Sequence, residues 1–210
     1  MKSPELRKEL SELILHKRGI RLNLQLPLIE SEEEITLRSK DDVAQRLYAL
    51  CLLHHSAQEA LQPEVRRLLE TTGSAGLSHL EQQQLYTPEA TAASTDALSF
   101  LLWCCGLKKE AGMPDGKQAL TEIATLWQAI SRQPATLPLQ LHLRSRTDIL
   151  DWADLLYRLH WAVRHAHLNG KPVPGRLDAH AVHAWHKAVN WMIRYDDEND
   201  WDRVSTETAG

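Results

Sequence analysis

The side chains best suited to chemistry concentrate near the C-terminus of this 210-residue chain. His180, His183 and His186 recur at every third position, and imidazoles with this spacing on a helix can converge on a cation. At 100° per residue, however, the three rings spread over about 120°. No paired motif such as H-E-x-x-H is present. Solvated or capping histidines are therefore the favoured interpretation, and we expect neither a metal nor any other cofactor.

An acidic and a basic residue lie four positions apart in the same region. Asp154 precedes Arg158, which is the favourable order for an ion pair on a helix, and such a pair contributes about 0.3–0.5 kcal/mol when it is exposed. The alternative is a buried pair beside Tyr157, Trp161 and His186. There it would bind a ligand carboxylate or orient a histidine as a general base.

Two amphipathic helices must position these groups. The apolar periodicity predicts one helix over residues 149–168, capped at Thr147 and Asp148, and a second over residues 178–194, capped by Asp178. The short connection predicts a helical hairpin whose polar sides flank a common groove. The resulting candidates for partner or ligand binding are Asp154, Tyr157, Arg158, His160, Trp161, Arg164, His186, Asn190 and Trp201.

The first 19 residues are typical of a helical arm. Ser3 can cap a helix, Pro4 suits its first position and Gly19 can end it. Apolar residues recur at helical spacing at positions 6, 10, 13 and 14, so we expect this helix to dock on the rest of the protein. Residues 20–210 are then interpreted as a single α-rich domain.

Two other stretches alternate apolar and polar residues. The alternation at residues 20–26 and 137–143 is typical of extended segments, which could pair with each other. The predicted fold class is therefore mainly α, a single helical domain with the C-terminal helical hairpin at its centre and at most one short β-hairpin.

Charge and composition exclude several classes of function. The formal charge of −4 disfavours a nucleic-acid binder, and no run of eighteen apolar residues points to a membrane. Cys51, Cys104 and Cys105 lie in Leu-rich helical runs, which is typical of buried reduced thiols, and we expect a cytoplasmic protein. No nucleophile elbow, P-loop or dinucleotide fingerprint is present.

Three C-terminal runs, ILDWADLLYRLHWAVRHAHLNG, HAWHKAVNWMIRY and DWDRVSTETAG, resemble the domain of unknown function 4272 family. Further similarity in LRSKDDVAQRLYALCLL and SFLLWCCGL extends the resemblance back to about Gly19. It implies a helical bacterial domain but no reaction and no catalytic residues. Trp185 departs from the pattern, which has a charged residue there.

Two hypotheses for function follow. The favoured one is a non-enzymatic, acidic domain that binds another protein, for example an immunity protein that neutralises a cognate bacterial toxin. The alternative is a small-molecule-binding or hydrolytic domain with a polar site between helices 149–168 and 178–194. An interaction protein should expose a contiguous patch, whereas a ligand site should be concave.

Overall fold

The computed structural model describes residues 1–208, and the last two positions of the predicted domain lie outside them. The described chain forms nine α-helices joined by turns and short 3-10 segments. Their bounds are α1 Pro4–Lys17, α2 Lys40–Ser56, α3 Gln62–Thr72, α4 His79–Gln84, α5 Glu89–Cys104, α6 Leu120–Arg132, α7 Leu137–Gln140, α8 Arg146–Leu168 and α9 Ala179–Met192.

The apolar residues of α2, α5, α8 and α9 form the centre of the fold. α5 packs against both α2 and α9, and α8 packs against α9 and α1. α5 is buried almost all round, with Phe100 and Trp103 in an aromatic cluster that Trp152 of α8 and Trp185 of α9 complete. Trp185 is thus a core residue.

Side-chain caps begin most of the long helices where the sequence indicates. Ser3 accepts the Leu6 N–H, and Ser39 and Asp42 form a reciprocal capping box at α2. Asp178 caps α9 by accepting a backbone N–H, as predicted. The predicted cap of α8 at Thr147 and Asp148 is wrong. The cap is Ser145, whose hydroxyl accepts the Asp148 N–H, so the helix begins at Arg146 and not at residue 149.

The predicted extended segments do not form strands. Residues 20–29 are irregular, and Leu137–Gln140 is a short helix that follows a 3-10 turn over Pro134–Thr136. No strand occurs within residues 1–208, so the β-hairpin is wrong and the fold is all-α. The alternating leucines are compatible with a helical turn here, because proline is well tolerated in the first turn of a helix.

α1 docks on α8 through a face that the apolar pattern does not predict. Its buried side chains are Arg7, Ser11 and Leu15. The Arg7 Nε atom donates to Asp151 of α8 at 3.0 Å, and Lys2 Nζ donates to the same carboxylate at 2.7 Å. The predicted arm is therefore in contact with the domain, while its separation at residue 19 stays a prediction.

α8 and α9 are consecutive helices in contact, joined by residues 169–178. Their arrangement as a central helical hairpin stays a prediction. Within residues 1–208 no helix has both the length and the apolar character that crossing a bilayer requires.

Candidate functional site

Asp154 and Arg158 form a buried ion pair on α8. The Nε and Nη2 atoms of Arg158 donate to the two Asp154 oxygens at 2.8 and 2.9 Å, and the residues are 2% and 0% exposed. Nη2 also donates to the Pro27 carbonyl at 3.1 Å. Bidentate geometry offsets part of the cost of removing two charges from water, while the buried Nη1 atom of Arg158 has no hydrogen-bond partner. The Asp154 oxygens accept from Arg158, and the pair ties α8 to the segment at Pro27.

Two buried histidines, one from α8 and one from α9, are bonded to each other. The Nδ1 atoms of His160 and His186 lie 2.8 Å apart, and the rings meet edge-on. One Nδ1 must donate and the other must accept, so this bond requires that the accepting ring is neutral. Burial, reinforced by neighbouring histidines, lowers the pKa of His186 to about 3 and that of His160 to about 4. Groups with such low pKa values are weak general bases at neutral pH, which disfavours the hydrolytic alternative.

The three histidines of α9 do not converge on a common point. His183 meets His160 edge-on, with ring centroids 5.5 Å apart. His180 turns to α5, where its Nδ1 atom lies 2.7 Å from an Asp96 oxygen. Asp96, Asp178 and His180 bring their ligand atoms within 4.8 Å of one another. The His180–Asp96 hydrogen bond and the capping role of Asp178 account for this arrangement.

A cleft of about 310 Å³ opens between α8 and α9. Tyr157 of α8 and His186 and Asn190 of α9 line it, so the structure brings three of the predicted candidates together. The other walls come from the segment 27–30, from residues just after α9 and from the C-terminal tail. The volume is at the lower end of the range for small-molecule sites.

Side chains of α8 and α9 tie the C-terminal tail across this cleft, and His160 is one of them through a hydrogen bond with the Thr206 backbone. Asn190 Nδ2 donates to the Ser205 carbonyl at 2.8 Å. Arg164 Nη1 donates to the Thr208 hydroxyl at 3.0 Å. Arg164 therefore acts at the rim of the site, through the tail, and does not line the cleft.

The side chains that line the cleft carry a net negative charge. Glu30 and Glu207 line it beside Tyr195, and no lysine or arginine does so among the residues that the structure describes. Burial and then the negative charges of Asp196 and Glu30 raise the pKa of Tyr195. With His186 neutral at physiological pH, the charge of the lining residues is set by the two glutamates.

An unusual backbone segment directs the residues that follow α9. Arg194, Asp196 and Asp197 have φ angles of 54°, 54° and 53°, in the left-handed region that residues other than glycine seldom adopt. Tyr195 faces the cleft described above, while Arg194 lines a second cleft with Arg38. Strained backbone of this kind costs on the order of 1–3 kcal/mol per residue and clusters at functional sites.

The two tryptophans among the candidates lie outside the first cleft. Trp161 is 8% exposed and stacks on His165 with centroids 4.7 Å apart. Trp201 is 6% exposed, packs edge-on against Trp191, and lies beneath the Arg46 guanidinium. Both indoles are core residues and neither is positioned as an exposed anchor for a partner.

Sequence reasoning missed the ionisable residues Glu30, Tyr195 and Glu207, which line the cleft. Glu30 lies in an irregular segment far from α9 in the sequence, and Glu207 lies in an irregular tail, so no helical periodicity links them to His186. The position of Tyr195 directly after the apolar repeat of α9 was the one local signal.

The fold and the cleft define an all-α domain with a concave, acidic site between its two C-terminal helices. The model of the family described as domain of unknown function DUF4272 matches residues 7–204. The chain belongs to this family, and the resemblance seen in its sequence is confirmed. No curated protein and no solved structure gives a significant match.

Proposed function

We propose that this domain binds a small organic cation in the cleft between α8 and α9. The observation that carries the proposal is the lining, in which Tyr195 lies with Glu30 and Glu207 and without a lysine or arginine among the described residues. The Arg158 guanidinium already lies 5.9 Å from the centroid of the Tyr157 ring, so Tyr195 supplies the aromatic face for a ligand. Aromatic faces attract ammonium groups by about 0.5–2 kcal/mol, and carboxylates add direct charge attraction. The Asn190 amide lies at the same wall and can fix the orientation of a polar substituent.

The proposal favours ligand binding over hydrolysis. His186 is the imidazole that lines the cleft, and its pKa of about 3 leaves it neutral but weakly basic at pH 7. The three thiols are buried in the core and do not line the cleft. The described lining therefore offers recognition groups without an activated nucleophile.

Calorimetric titration tests this function with tetramethylammonium and n-butylammonium as probes, and with neutral tert-butanol and acetate as controls. We expect the cations alone to bind. Glu30→Gln should weaken binding about tenfold, which corresponds to about 1.4 kcal/mol. Glu33→Gln is the matched control, because Glu33 is exposed and does not line the cleft. Equal binding of tert-butanol, or equal affinity in Glu30→Gln, contradicts the proposal.

A second candidate is the protein-binding function favoured by the sequence, including neutralisation of a cognate toxin. A specific observation favours it: the segment 196–202 carries five acidic residues, and Asp196, Asp197 and Asp200 are exposed. An exposed acidic segment suits a basic partner. Capture of a partner from a bacterial lysate by the tagged chain, lost in an Asp196→Asn/Asp197→Asn variant and kept in Glu33→Gln, would support it. Equal capture by both variants contradicts it.

A further inference from the structure

Exposed apolar side chains are concentrated at the N-terminal end of the described chain. Twelve large hydrophobic residues are exposed within residues 1–208, and seven of them lie in the first 28 positions. Those seven are Met1, Leu6, Leu10, Leu13, Ile14, Leu24 and Leu28. Single exposed leucines need no explanation, but a contiguous group on one element indicates a contact surface.

α1 creates this surface because it is docked by its polar side. Arg7 is 1% exposed and bonds to Asp151, whereas the four aliphatic residues at positions 6, 10, 13 and 14 are 39–46% exposed. At 100° per residue these four fall within about 100° of one another. We name them the α1 stripe. A helix that buries arginine and serine while it exposes a leucine stripe has an unfilled apolar face.

The charges beside the stripe are arranged asymmetrically along the helix. Glu5 and Glu9 are exposed towards its start, and His16 and Lys17 are exposed at its end. The first two and His16 share one flank of the stripe, and Lys17 continues the stripe itself. A second α1 that runs antiparallel therefore meets the acidic end with its own basic end. A parallel partner would place like charges side by side.

We propose that the α1 stripe is a self-association surface, on which α1 of a second copy of this chain packs antiparallel about a two-fold axis near Leu10. Such an interface is isologous, so one stripe supplies both halves of the contact. Glu5 of each copy then lies beside Lys17 of the other. The inference is independent of the ligand cleft, since no stripe residue lines it.

The size of the stripe sets the expected strength of association. Four partly exposed aliphatic side chains cover less than the roughly 800 Å² per partner of a standard stable interface. We therefore expect a dimer that dissociates on dilution, with a dissociation constant of about 10–100 µM.

Sedimentation velocity of the full chain from about 2 to about 500 µM measures this equilibrium over the range that a small interface requires. Leu10→Glu should abolish dimerisation across that range, because it places a charge at the centre of the contact. Leu139→Glu is the matched control, since Leu139 is 82% exposed and lies outside α1. Circular dichroism of both variants checks that the helices are retained.

A charge exchange tests the antiparallel register. Glu5→Lys should weaken the dimer about tenfold, and adding Lys17→Glu should restore it to within about threefold of the natural chain. Cysteine crosslinking provides a second readout, because Cys51, Cys104 and Cys105 are buried. Leu10→Cys should form an intermolecular disulfide, and Leu139→Cys should not.

A chain that stays monomeric at every concentration overturns the proposal. If that monomer binds a different protein and Leu10→Glu abolishes the binding, the stripe belongs to a heterologous partner and the self-association is also refuted. A dimer that survives Leu10→Glu places the interface elsewhere and refutes it as well.

Discussion

The Nδ1 atoms of His160 and His186 lie 2.8 Å apart, and this hydrogen bond joins the two helices that flank the ligand cleft. Because an Nδ1–H can donate only to an unprotonated Nδ1, full protonation of both rings removes the bond and leaves two like charges in contact. Both residues are nearly inaccessible to water, at 6% and 2% exposure. The packing of α8 on α9 is thereby coupled to pH.

The first prediction is a loss of stability on acidification. The folded-state pKa values of about 4 for His160 and about 3 for His186 lie below the usual value of about 6.5 in an unfolded chain. At pH values between the folded-state and the unfolded-state pKa, the unfolded chain binds more protons than the folded protein. The free energy of unfolding therefore falls as the pH falls from about 6.5 to about 4. Each histidine contributes up to about 1.4 kcal/mol per pH unit in this window.

Urea unfolding at several pH values between 4 and 7 checks this slope. His186→Asn keeps a polar atom near the Nδ1 position but cannot titrate, so the slope should decrease by about one proton. The exposed Gln140 supplies the control variant, Gln140→Asn, which neither removes nor adds a titratable group and should leave the slope unchanged. An identical slope in His186→Asn and the natural chain would falsify the assignment.

The helices could be predicted from the sequence because their signals are local. Caps such as Ser3 and Ser39 and the apolar repeats of α8 and α9 act over a few residues, and the structure confirms them. The predicted strands failed because four alternating leucines near Pro134 and Pro138 satisfy either period over so short a stretch. The face by which α1 docks could not be predicted, because Asp151, which attracts Arg7, is 144 positions away.

The candidate site was predictable only in part for the same reason. Tyr157, His186 and Asn190 lie on two predicted helices, and packing of those helices brings them to one cleft. Asp154 and Arg158 form the pair that their spacing predicts, but the favoured interpretation of an exposed pair is wrong, because both residues are buried. Their use in holding Pro27 depends on a long-range contact. Tertiary packing likewise decides that Trp161 and Trp201 are buried.

The second prediction concerns the ion pair of Asp154 and Arg158. Asp154→Ala leaves a guanidinium that is 2% exposed without its carboxylate, and we expect a loss of about 3–5 kcal/mol of unfolding free energy. Glu64→Gln is the control, because the Glu64–Arg67 pair lies at the surface, where solvent screens the attraction, and its loss should change the unfolding free energy far less. Denaturant unfolding at pH 7 measures both. A loss below about 1 kcal/mol in Asp154→Ala would show that the pair is solvated.

The third prediction concerns the tail that crosses the cleft. Asn190→Ala removes the hydrogen bond from its amide to the Ser205 carbonyl and should free residues 205–208 while the helices remain folded. Amide protons in this tail should exchange about tenfold faster, as expected for loss of about 1.4 kcal/mol of local stability. Hydrogen exchange measured by NMR compares the tail with the amides of α5. Unchanged exchange in the tail would mean that the bonds of Arg164 to Thr208 and of His160 to the Thr206 backbone hold it without Asn190.

The last prediction concerns the three thiols. Cys51, Cys104 and Cys105 are fully buried, and burial raises the pKa of each, that of Cys105 to about 11. Only an exposed thiolate attacks a disulfide reagent. Dithionitrobenzoate at pH 8 should therefore label none of the three thiols in the native protein. After the protein is unfolded in guanidinium, all three thiols should react. Asp154→Ala should speed native labelling about tenfold for each 1.4 kcal/mol of unfolding free energy that it removes, since labelling requires opening of the core. Rapid labelling of one equivalent in the natural chain would show that a thiol reaches solvent without unfolding.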